Sequence, residues 1–267
     1  MGDLFAGIGG FSIAAHWTGQ IETAWFSEVD DYASKVLAKN FNGTPNHGDI
    51  TQIKGETVEP IDILCGGFPC TDISLAGKGA GLDGKQSGLW FEYLRLIDEL
   101  RPKYILAENV SALRSRGLDR VLLSLHEIGY DAEWHCIPAS AVGAPHQRDR
   151  IWIIAYPEGT HQDGIVGDAF RERLEGYARN GGPSGRQTSA RSAASTGLSC
   201  GTDTAGWWAS EPGVGRVVAN VPNRVDRLRC LGNAIVPAVA FALFQEILEA
   251  YAAQQLEIWQ TVRAAVA

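Results

Sequence analysis

The chain has no closely paired cysteines. Its five, at 65, 70, 136, 200 and 230, are odd in number and include no Cys-x-x-Cys spacing. That excludes a zinc-ribbon pattern and a disulfide framework, and predicts a reducing, cytoplasmic setting with no bound metal. No apolar run approaches a membrane span and no secretory leader precedes the first strand, so neither membrane nor export is expected. No internal repeat is visible. Lysine is missing between 155 and 230, where 9 arginines stand against 8 acids. Residues 1–154 instead carry 13 basic and 20 acidic side chains, and the whole chain nets −8. An acidic balance argues mildly against nucleic acid. Five arginines against two glutamates within 170–192 still allow a local basic face for phosphates. A solvated loop with scattered arginines is the alternative.

What is present is an ordinary globular composition, 45% hydrophobic and 20% charged over 267 residues, enough for one domain and a smaller appendage. Ile61-Asp62-Ile63-Leu64-Cys65-Gly66-Gly67-Phe68-Pro69-Cys70 reads as a buried strand over 61–64 that stops at the glycines, turns, and presents a thiol. The end of a parallel strand is where open α/β sheets bind ligands. Cys65, inside the strand, is expected only to pack. Cys70, on the loop, is the candidate nucleophile.

The chain opens Asp3-Leu4-Phe5-Ala6-Gly7-Ile8-Gly9-Gly10-Phe11, a strand, a glycine-rich turn and a helix over 12–18. Doubly wound folds cradle nucleotides this way, although the full dinucleotide spacing is missing. A strand over 21–27 ends at Glu28, placed either to hold ribose hydroxyls or to cap the helix that follows. Asp49-Ile50 lie in the next loop. After Cys70, the glycine-rich run to Gly88 suggests a loop that closes over substrate. A helix over 89–100 and a strand over 104–107 deliver Glu108-Asn109-Val110. A helix over 118–128, a strand over 132–138 and His146-Gln147-Arg148-Asp149-Arg150 lead into a strand over 151–155. Alternating strands and helices predict a doubly wound, mostly parallel α/β sheet. Periodicity fades between 156 and 206. Order returns with Gly232-Asn233-Ala234 and a helix from 238 to about 259.

Five of these segments together carry a resemblance. The cofactor-type loop 3–11, Gly67-Phe68-Pro69-Cys70, Glu108-Asn109-Val110, Gln147-Arg148-Asp149-Arg150 and Gly232-Asn233-Ala234 resemble, in order and spacing, the motifs of cytosine-C5 DNA methyltransferases. The compact layout is similar to phage and mobile-element members. The resemblance implies a catalytic and cofactor-binding domain over 1–155, a short target-recognition segment over 156–220, and a C-terminal return over 221–267. It implies methyl transfer from S-adenosylmethionine, leaving S-adenosylhomocysteine, to C5 of cytosine in a specific duplex DNA sequence. The enzyme would be a monomer in a bacterial or phage-infected cell.

The implied catalytic residues are Cys70, Glu108, Arg148 and Arg150. Cys70 adds to cytosine C6, Glu108 holds or protonates N3, and the arginines stabilise charge at O2 and orient the flipped base. The implied cofactor residues are Phe5, Gly7, Ile8, Gly9, Gly10, Glu28, Val29, Asp49, Ile50, Gly67, Pro69, Leu89, Asn233 and Ile235. Thr71 stands where the family usually has glutamine, and His146 or Gln147 where its arginine motif opens. Arg224-Val225-Asp226-Arg227-Leu228 is a shortened form of the motif before Gly-Asn. A transfer-RNA methyltransferase, a non-catalytic binding module and a small-molecule methyltransferase are the rival readings.

Overall fold

A computed structural model describes residues 1–69, 88–144, 146–161, 163–167, 169–180 and 222–266. Cys70, the glycine-rich run behind it and most of 156–220 lie outside the described residues. Strands β1 (Gly2–Leu4), β2 (Trp25–Ser27), β3 (Ile63–Gly67), β4 (Tyr104–Val110), β5 (Tyr130–Ile137) and β6 (Arg150–Pro157) form one sheet in the order β2-β1-β3-β4-β6-β5. The first four are parallel. β6 runs antiparallel to both β4 and β5, a departure from simple winding. Among the described residues, the one element between β5 and β6 is a 3-10 turn at Ala139–Val142, where a parallel return needs a long crossover, usually a helix.

The helices are α1 (Gly10–Thr18), α2 (Asp31–Asn40), α3 (Leu89–Leu100), α4 (Leu113–Arg116), α5 (Leu118–Glu127), α6 (Ala169–Asn180), α7 (Arg224–Asn233) and α8 (Pro237–Val266). They cover both faces of the sheet. On one, α1, α6 and α8 bury Phe11, Phe170, Leu174, Phe241 and Phe244 against Leu106, Trp152 and Ile154. On the other, α3 and α5 bury Trp90, Tyr93, Val121 and Leu125 against Leu64, Ile105 and Ile153. Neighbouring strand residues therefore face opposite cores, which is why 104–107 and 151–155 read as continuous apolar runs.

Three local differences from the sequence reading have physical causes. β2 is only Trp25–Ser27. β3 runs on through both glycines, where the sequence suggested a stop. A Cβ on Gly66 would lie 2.8 Å from the Leu4 carbonyl oxygen and one on Gly67 3.0 Å from Glu108 Oε2. These glycines make room inside the sheet. Helix α6 fills part of the region where periodicity fades: Phe170, Leu174 and Tyr177 share one face, and Arg173 pairs with Glu246 (3.1 Å) and Glu249 (2.7 Å) of α8. At least this arginine of the basic stretch is committed within the protein. α8 is long and apolar enough to cross a membrane by composition, but its first turns are core, from Val239 to Ile247.

Candidate active site

The carboxyl ends of β1 to β4 and the start of β6 open into a cavity of about 700 Å³. Because β6 is antiparallel, Val110 at the end of β4 pairs with Arg150 at the start of β6. The glutamate and arginine segments thus meet at one edge. All the expected cofactor residues line the cavity except Ile8 and Gly9, and Glu108, Arg148 and Arg150 line it too. Gly9 instead caps α1 in the left-handed region at φ 85, and a Cβ there would lie 2.5 Å from the Phe41 ring. A Cβ on Gly10 would lie 2.5 Å from Ile235 Cγ1. Glycine there lets the last segment close onto the first loop. Cys70 lies outside the described residues, directly after Pro69 on the cavity wall.

The side of the cavity beside Glu28 and Asp49 is built by backbone held on carboxylates. Glu28 Oε2 accepts the Gly7 N–H and Oε1 the Asp30 N–H, both at 2.7 Å. Glu28 therefore fixes the β1–α1 loop and the start of α2 at once. Asp30 caps α2 by accepting the Tyr32 and Ala33 N–H groups, and Asp49 Oδ1 accepts the Thr51 N–H at 2.9 Å. Phe5 is held at φ 51, a conformation costly for a bulky residue. Beneath the loop, Asp3 is fully buried; Ser12 donates to its Oδ2 at 2.8 Å and Thr23 donates to Ser12 at 3.0 Å. Burial raises the Asp3 carboxyl to about 7, against the opposing hydrogen bond from Ser12. Cys65 packs as expected, its thiol 3.4 Å from the Gly2 carbonyl and pushed up by burial.

The opposite side carries the charged pair. Glu108 is buried, and Arg150 Nε lies 2.9 Å from its Oε1. Burial raises the Glu108 carboxyl to about 7, while Arg150 and Arg148 pull it down. A carboxyl poised there exchanges a proton near neutral pH. Asn109, next along β4, donates from Nδ2 to the Phe68 carbonyl at 3.2 Å and accepts the Val110 N–H at 2.8 Å. That bond ties the end of β4 to the loop leading to Cys70. Phe68 rests on Trp90, with ring centroids 5.0 Å apart, and Trp90 donates to Ser124 at 3.0 Å.

Arg148 has a different employment from the one expected. At φ 37 it turns to the far wall, and Nη2 donates to the carbonyls of Gly232 and Ala234, each at 2.8 Å. Burial, then Arg150, lowers its pKa. Arg229 of α7 lies 2.6 Å from Asp30, and both line the cavity with Cys230 and Gly232. Asp30, Arg229 and Cys230 went unsingled in the sequence. Arg229 follows Arg224 and Arg227 in one short stretch, so nothing in the sequence set it apart.

Comparisons with known proteins agree with this layout. Over 158 residues the chain is 41% identical to the type II methyltransferase M1.ScrFI of Lactococcus lactis subsp. cremoris, covering 58% of this chain and 40% of that one. It is 37% identical to M.HhaI of Haemophilus parahaemolyticus, covering 58% and 48%. The chain thus spans less than half the length of these relatives. A crystal structure titled as a DNA modification methyltransferase encoded within an E. coli prophage superposes with a TM-score of 0.52 at 27% identity, covering 63% of this chain and 49% of that one. Spodoptera frugiperda DNMT2, at TM-score 0.51 and 22% identity over 62% and 52%, supports the fold alone. The family model for C-5 cytosine-specific DNA methylases matches residues 1–180, from the start of β1 to the last turn of α6, and the chain belongs to that family.

Proposed function

We propose that the protein transfers a methyl group from S-adenosylmethionine to C5 of cytosine in a specific duplex DNA sequence. The transfer runs through an adduct between Cys70 and C6 of a base turned out of the helix. The observation that carries this reading is the buried Glu108–Arg150 pair, 2.9 Å apart, at the edge of a cavity whose other end is built on Glu28 and Asp49. The cavity fits the donor: about 700 Å³ lies within the range of cofactor sites. Phe5 and Ile50 give apolar walls, and carboxylates stand where ribose and an amino group would be held. Bound there, S-adenosylmethionine supplies an electrophilic methyl group.

The chain's own residues do the rest. Glu108 donates a proton or hydrogen bond to N3, so the ring accepts the Cys70 sulfur at C6 and C5 gains electron density. Arg150 keeps Glu108 oriented and offers positive charge beside O2. Asn109 holds the Phe68 carbonyl and with it the approach of Cys70. Once C5 has taken the methyl group, its proton passes to water and the C6–S bond breaks, which restores the C5–C6 double bond and releases Cys70. The segment 156–220 is proposed for target recognition, rooted on the core by α6, and the chain is proposed to act as a monomer without metal, in a bacterial or phage-infected cell.

The test uses duplex DNA carrying 5-fluorocytosine with S-adenosylmethionine, because fluorine at C5 cannot leave as a cation. The parent chain is expected to form an adduct stable to denaturation, and Cys70→Ala none. An adduct formed only on transfer RNA would transfer the chemistry to another substrate. No adduct on either, with the donor still bound, would overturn the catalytic reading.

A further inference from the structure

Helix α7 forms one wall of the donor cavity, yet Cys230 is its only buried residue. Val225, Leu228 and Leu231 point to solvent. A helix that buries so little has few apolar contacts to keep it docked. Among the described residues, two arginine contacts fasten it instead. At its carboxyl end, Arg148 reaches from the start of β6 to the Gly232 and Ala234 carbonyls. In its middle, Arg229 bridges to Asp30 at 2.6 Å and to Asp226 of its own helix at 3.1 Å.

We propose that Asp30 and Arg229 are positioning residues for the donor: their ion pair latches α7 across the cavity and sets how firmly the donor is retained. The inference rests on the donor reading above. Asp30 suits this role because it is immobilised three times over. Its backbone N–H is held by Glu28 Oε1, its Oδ1 caps α2, and its Oδ2 meets Arg229. The latch therefore lands on the same turn as Glu28, and Cys230, the residue after Arg229, faces the cavity. Breaking the bridge frees α7 to move outward on its Arg148 anchor and opens a path for escape. An exposed ion pair is ordinarily worth little. Here it is one of two charged fastenings on an element with almost no buried surface.

The test is calorimetric titration of the full chain with S-adenosylhomocysteine, plus its dissociation rate by stopped flow, for the parent, Asp30→Asn, Arg229→Gln and the double variant. Asparagine still caps α2, so melting temperatures should match the parent's. Each single variant is expected to weaken binding about three- to fivefold through faster dissociation, in keeping with the upper range for such pairs. The double variant should be no weaker than the worse single one. Single variants indistinguishable from the parent, or a double variant whose loss is the product of the two, overturn the latch. No binding by the parent overturns the donor reading and the latch with it.

Discussion

The two walls of the cavity are held by opposite means. The wall proposed for catalysis, β3, β4 and β6, consists of strand ends whose backbone is paired on both sides and whose side chains are buried. Glu108 is 8% exposed and Asn109 2%. The other wall, α7 and residues 232–235, is mostly exposed and fastened by arginine side chains reaching across. Charge needs a rigid frame where bonds are made and broken. A wall that a cofactor must pass needs one it can undo.

The largest effect should come from the rigid wall. Glu108→Gln keeps the shape and removes the proton, so kcat is expected to fall about 100-fold or more in a methyl-transfer assay. The pH profile sharpens this. With Glu108 raised to about 7 by burial, the limb that needs its proton should fail as pH rises through that value. An unchanged profile in Glu108→Gln would break the assignment. Next, Arg148→Met removes two charge-assisted hydrogen bonds from the fastened wall. Binding of S-adenosylhomocysteine should weaken by roughly 10- to 100-fold, more than kcat falls at saturating donor. An equal loss in both would return Arg148 to the base side. Gly67→Ala, with its new methyl 3.0 Å from Glu108 Oε2, should lower kcat by about tenfold, more than it weakens donor binding.

A smaller effect lies beneath both walls. Burial raises the Asp3 carboxyl to about 7, so its contribution to stability is present below the unfolded value near 4 and is lost as pH rises through 7. Asp3→Asn should flatten the decline of unfolding free energy between about pH 4 and 7, by on the order of 1–2 kcal/mol, as read from denaturant melts at each pH. A variant melting curve that keeps the parent's pH slope would count against a protonated Asp3.

The rigid wall was legible in the sequence because strand ends announce themselves. Apolar runs stop, and Glu108 and Asn109 follow at once. The direction of β6 was not legible, since an apolar run reads the same either way and only the short link at Ala139–Val142 reveals the reversal. Nor was α6, whose buried Phe170 and Leu174 and half-buried Tyr177 are spaced among arginines, glutamates and glycine. The fastened wall was least legible. Arg148 sits within a recognisable motif, but whether it faces Glu108 or Gly232 depends on a backbone turn at φ 37 that composition does not encode. Asp30 and Arg229 meet only after the sheet has brought both ends of the chain together.

The reversal of β6 also has an engineering consequence. Arg150 begins the strand at the cavity, so Pro157 ends it beside Tyr130, at the opposite rim of the sheet. The chain leaves Pro157 at that rim and turns back through α6, whose Phe170 and Leu174 share a core with Val142 of the turn that precedes β6. A foreign module grafted at Pro157 would have its entry point a full strand length, about 25 Å, from the chemistry.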